Sequence, residues 1–117
     1  MAILRSVGIS AAAIGLMFVL PSQAASFDCN QARTPDEIAI CDNRDLNDMD
    51  VRMATLFDVI KGFVLMGERG AIQDDQREWL AQRRLCGADV ECLRRSYRKR
   101  IGELEAELQS IRSRGPY

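Results

Sequence analysis

The sequence contains no histidine, which removes Ser-His and Cys-His triads, HExxH zinc sites and imidazole acid–base catalysis before any motif is considered. It also lacks an excess of one charge. Lys and Arg total 16 against 17 Asp and Glu, a net charge of −1, so the basic field of a dedicated nucleic-acid binder is missing and no nucleic-acid partner is expected. No CxxC pair is present to begin a four-cysteine zinc site, and no alternating stretch long enough for a half-buried strand appears. Internal repeats and low-complexity segments are absent as well. The longest apolar run, residues 7–20, is 14 residues; at ~1.5 Å each it reaches ~21 Å, short of a hydrocarbon core of ~30 Å. With 117 residues, the chain has room for one small core.

That short apolar run has the marks of a cleavable signal peptide. Arg5 is the only charge before Asp28, Pro21 ends the run, and Ser22-Gln23-Ala24 offers small residues at both outer positions of a cleavage site. Cleavage before Ala25 is expected, making residues 1–24 the leader and residues 25–117 the mature domain. The competing reading, an uncleaved anchor, meets the length shortfall above, so no stable membrane insertion is expected after cleavage. The first cysteine, Cys29, follows Ser26-Phe27-Asp28 and does not directly follow the cleavage site, so no lipid attachment is expected. A periplasmic or secreted destination is oxidising, which turns Cys29, Cys41, Cys86 and Cys92 towards disulfides. Four cysteines allow three connectivities; their grouping favours Cys29 with Cys41 and Cys86 with Cys92. Each loop would contribute roughly 2–3 kcal/mol by restricting the unfolded chain.

Four helices are predicted. Thr34-Pro35-Asp36-Glu37 has the pattern of an N-cap, a first-turn proline and a capping box, starting a short helix that ends near Cys41. Residues 42–45 form a turn, after which Leu46, Met49, Met53, Leu56, Ile60 and Phe63 recur at helical steps. Gly67-Glu68-Arg69-Gly70 is read as the connection to a third helix carrying Ile72, Gln76, Trp79, Leu80 and Arg83 on one mixed face and ending near Cys86-Gly87. Asp89 caps a fourth, with Leu93, Tyr97, Ile101, Leu104, Leu108 and Ile111 in a stripe lasting to Ser113. The fold class is all-α: a small helical bundle stapled by two local disulfides.

Charge is uneven along the mature chain. Residues 25–60 hold eight acids and three bases, residues 61–117 twelve bases and nine acids. Arg94, Arg95, Arg98, Lys99 and Arg100 are read as a solvated helix face, with an anionic surface or the acidic half of the chain as the sharper readings. Gln76, Trp79 and Arg83 stand out because two polar groups flank the only tryptophan at i, i+3 and i+7. If buried they need partners, and Asp50, Tyr97 and Arg100 are the ones available, with an Arg83–Asp50 pair beneath the indole fixing helix register. If exposed, Trp, Tyr and Arg are the residue types of a protein-binding hot spot. No catalytic group, metal ligand or cofactor is assigned.

Asp28-Cys29, Thr34, Glu37, Ile40-Cys41, Leu46, Asp50, the Gln76-x-x-Trp79-x-x-x-Arg83-x-x-Cys86 run, Cys92-Leu93, Tyr97, Arg100-Ile101 and Leu104 together resemble the small exported domains called LprI-like, named after a lysozyme inhibitor. The resemblance spans most of the mature chain and implies a helical fold with two local disulfides. Phe57 stands where that family usually shows tyrosine, and the lipid-attachment cysteine of some members is missing. By resemblance, the function expected is non-enzymatic binding of a lysozyme-type muramidase, with residues 67–70 or 87–89 entering its cleft and acidic residues 36–58 steering the approach. The alternative is a structural or accessory envelope module that binds another periplasmic protein. The oligomeric state is open, since Leu104, Leu108 and Ile111 permit a dimer seam.

Overall fold

A computed structural model describes Gly15 and residues 25–114; the expected leader, residues 1–24, and the chain end from Gly115 lie otherwise outside the described residues. Among these the chain is entirely helical, in the order of a one-turn 3-10 helix (Cys29–Gln31), α1 (Pro35–Asp42), α2 (Arg44–Phe63), α3 (Met66–Leu85) and α4 (Val90–Ser113). Both expected disulfides form, Cys29–Cys41 with Cα atoms 5.8 Å apart and Cys86–Cys92 at 5.5 Å. No described helix is long and apolar enough to cross a membrane.

The helical stripes meet as their spacing requires. Leu46, Met53 and Ile60 of α2 face Leu93, Tyr97, Ile101, Leu104 and Ile111 of α4, and Ala39 and Ile40 of α1 close one end. The α2–α4 pair is the main seam of the bundle. Leu104 and Ile111 are buried in this core and Leu108 packs against it, so the stripe that permitted a dimer seam is used internally. Arg94 ties the two long helices at the surface, its Nε donating to Asp45 at 2.9 Å; part of the basic cluster thus meets the acidic half of the same chain.

Local signals were obeyed in some places and overridden in others. Asp89 caps α4, its carboxylate accepting from the Cys92 N–H at 3.1 Å. Gly87 ends α3 with φ +56, the left-handed conformation that a residue without Cβ adopts at no steric cost. At α1, however, the Thr34 hydroxyl makes no capping bond, and Glu37 reaches back to the Arg33 N–H at 3.3 Å. The larger correction is at residues 67–70. They do not form a loop; α3 begins at Met66 and runs through both glycines, while only Val64 and Leu65 connect α2 to α3, both with extended backbone. Glycine lowers helix propensity by about 1 kcal/mol without forbidding the helix, and packing further along α3 decides its register.

Candidate functional site

All six polar and aromatic residues singled out in the sequence lie in the interior. Asp50, Gln76, Trp79, Arg83, Tyr97 and Arg100 are each buried, with Trp79 only 6% exposed. This answers the choice between hot spot and internal glue: the indole is not presented to a partner. The helix periodicity of α3 puts Gln76, Trp79 and Arg83 on its one inward face, so this helix packs against the others through a polar stripe, unlike α2 and α4.

Two linked clusters result. In the first, Arg83 Nε donates to Asp36 Oδ2 at 3.0 Å and its Nη1 donates to the Tyr97 hydroxyl at 3.2 Å. The Tyr97 hydroxyl donates to Asp50 Oδ1 at 2.8 Å, and Arg83 Nη1 stands 3.7 Å from the same oxygen. The expected Arg83–Asp50 pair exists, but the closer carboxylate is Asp36. That residue looks in the sequence like a first-turn helix acid; its burial follows from α1 lying across α3, which no local pattern encodes. The guanidinium carbon sits 5.8 Å from the ring centres of both Phe27 and Trp79, close enough for a cation–π contact with each. In the second cluster, Arg100 Nε donates to Gln76 Oε1 at 3.0 Å, Gln76 Nε2 donates to the Met53 sulfur at 3.0 Å, and Arg100 reaches Glu103 at 3.3 Å. Trp79 stands between them, edge-on to Tyr97 with ring centres 5.2 Å apart, its Nε1 donating to the Ser96 carbonyl at 3.3 Å.

Burial alone would raise the Asp36 carboxyl, but hydrogen bonds and the Arg83 charge outweigh it and hold Asp36 below the ordinary aspartate value. Tyr97 moves the other way: burial first, then the Asp50 carboxylate, push its hydroxyl well above the ordinary tyrosine range, so it stays a neutral donor. The clusters are therefore fixed polar struts across four helices. Asp36 and Asp50, the two most deeply buried acids, are committed to this internal bonding.

The surface offers a different feature. Val51, Val59 and Phe63 of α2 are exposed at four- and eight-residue intervals, with exposed Thr55 between them, forming a ridge along one side of the helix. It continues into Leu65 and Met66, 80% and 82% exposed, at the α2–α3 corner. A shallow cavity of about 250 Å³ opens beside Phe63 and Leu65, walled by Ile111 and Arg114. Sequence reading assigned Phe63 to the core stripe because it continues the three- and four-residue steps; in fact the helix ends there and the ring points out. Phe57 lies under the Lys61 ammonium, which is 4.9 Å from its ring centre. Compared with protein-family models, curated proteins and solved structures, the chain has no match.

Proposed function

We propose that this chain is a non-enzymatic exported domain that binds another protein through the α2 ridge, and that its partner is a lysozyme-type muramidase whose cleft it covers. The observation that carries the binding reading is the run of exposed apolar side chains at Val51, Val59, Phe63, Leu65 and Met66 on a domain whose Gln76, Trp79 and Arg83 are buried. An apolar helix ridge of this kind is the surface that a hydrophobic groove accepts. The muramidase rests on the LprI-like resemblance and on charge: exposed Asp48 and Asp58 flank the ridge, suiting approach to a basic partner. Asp36 and Asp50 contribute nothing to that steering, because they are buried against Arg83. The contact previously assigned to residues 67–70 passes to Phe63, Leu65 and Met66, since those glycines lie within α3. A periplasmic location belongs to the same proposal and is supported by the two disulfides.

The test is inhibition of a c-type lysozyme on cell-wall substrate by the oxidised mature protein, with a reduced and alkylated sample as control. Dose-dependent inhibition is expected, lost on reduction, weakened by salt and lowered at least tenfold by Val59→Ser/Phe63→Ser. A folded sample that leaves lysozyme fully active overturns the muramidase reading. Stoichiometric, ridge-dependent binding of a different envelope protein would then mark an accessory module.

A further inference from the structure

The buried cluster around Arg83 is one cation short. Asp36 and Asp50 are 1% and 0% exposed and Arg83 is the guanidinium between them, so two carboxylates share one positive charge where water cannot screen the difference. Among the described residues, the partner of Asp50 Oδ2 is neutral, the backbone N–H of Ser26 at 2.6 Å. Ser26 follows the residue expected to become the mature N-terminus. The segment is held over the cluster at two further points, by the Phe27 ring against Arg83 and by the Cys29–Cys41 disulfide to α1, and Ala25 itself is buried.

We propose that Asp50 is the binding site for the α-ammonium group that leader removal creates at Ala25, and that this group supplies the missing cation of the Asp36–Arg83–Asp50 cluster. The inference rests on the reading of cleavage before Ala25. Hydrolysis of the Ala24–Ala25 amide consumes one water and leaves a carboxyl on Ala24 and an amine on Ala25. With an ordinary pKa of about 7.7–8.0, that amine is protonated at neutral pH. Consecutive residues are ~3.8 Å apart, so the nitrogen starts no more than roughly 6–7 Å from Asp50 Oδ2, and rotation about the Ala25 backbone brings it nearer. Before cleavage the same nitrogen is a neutral amide. Export and maturation thus complete the core electrostatically: in the leader-bearing chain two buried carboxylates share one guanidinium, and in the mature chain they share a guanidinium and an ammonium.

The titratable and charged groups of the cluster over which this segment lies are Asp36 from α1, Asp50 from α2, Arg83 from α3 and Tyr97 from α4. The Asp50 carboxylate, whose Oδ2 holds the neighbouring Ser26 N–H, lies within roughly 6–7 Å of that nitrogen in a cluster of two carboxylates and one guanidinium, so the folded-state pKa of the α-amino group rises above its unfolded value. Its contribution is then fully present below about pH 8 and is lost as pH rises through the folded value.

The experiment compares residues 25–117 beginning at a free Ala25, the same chain N-acetylated, and the same chain with Gly-Ser added in front. The free terminus is expected to melt roughly 4–8 °C above the other two at pH 7. That gap closes as pH rises past the α-amino titration, and NMR titration of the Ala25 amine reads a value above the ordinary one. Asp50→Asn should remove the difference between free and acetylated chains; if that variant does not fold, the acetylation comparison and the NMR titration decide alone. Equal melting of free and acetylated chains, with an α-amino group titrating at its ordinary value, overturns the proposal. N-terminal sequencing of the exported protein tests the cleavage reading separately, because the stability comparison uses a terminus set by preparation.

Discussion

Arg83 is the side chain on which most of the interior depends. It donates hydrogen bonds to Asp36 and Tyr97, forms an ion pair with Asp50 and lies near two aromatic rings. Arg83→Met is expected to cost about 3–5 kcal/mol, because it strands two buried carboxylates, whereas Tyr97→Phe, which deletes one hydroxyl bonded at both ends, should cost about 1–3 kcal/mol. Urea unfolding of both variants checks the order; a smaller loss for Arg83→Met would mean that the carboxylates find water instead. The network also sets an acid limit. Because the folded-state pKa of Asp36 lies below its unfolded value, its contribution is present above about pH 4 and lost as pH falls through the folded value. Asp36→Asn should flatten that acid limb of the stability profile, and an unchanged limb would assign it to another group. Five of the six interior polar and aromatic partners were legible from α3 and α4 periodicity, with Asp50 found as the acid at the right step of α2. Asp36 was not, because a carboxylate in a first turn already has a sufficient local reason to be there.

The beginning of α3 is the element that local rules describe worst. Leu65 occupies its N-cap without a side-chain bond to the first turn, and Gly67 and Gly70 follow within the helix with open space where a Cβ would go. A helix started this poorly in isolation is usually retained for something other than stability, and the two apolar side chains at this corner are the most exposed part of the ridge proposed to bind a partner. Leu65→Asp therefore has a two-sided expected outcome: a gain of about 1 kcal/mol from capping, and weakened binding of the partner. Gly70→Ala should give only the first effect, about 0.5–1 kcal/mol. Thermal melts and the inhibition assay read the two separately, and unaltered inhibition by Leu65→Asp would remove Leu65 from the contact. The same comparison shows why helix ends were unevenly legible. Asp89 and Gly87 each satisfy a backbone demand that only a few residue types can meet, so the sequence marks them, whereas Leu65 meets none and two glycines suggested a loop.

Across the molecule, the covalent staples differ in what they hold. The disulfides close loops of sequence separation 12 and 6, and loop entropy alone makes the longer one worth only about 0.5 kcal/mol more. The pairing was legible because both pairs are local; the consequence of the first was not, since it depends on where α1 lies relative to α2 and α3. Cys29–Cys41 fixes the segment that places the Ser26 N–H on Asp50 and Phe27 on Arg83, while Cys86–Cys92 clamps a turn already shaped by Gly87 and capped by Asp89. Replacing Cys29 and Cys41 with serine should therefore cost over about 1 kcal/mol more than replacing Cys86 and Cys92, exceeding the difference from loop length. Guanidinium unfolding of the two double variants measures it. Equal losses would show that the N-terminal segment keeps its place over the buried charges without the bond; an excess loss that vanishes in the Asp50→Asn background would show that the first staple acts through that carboxylate.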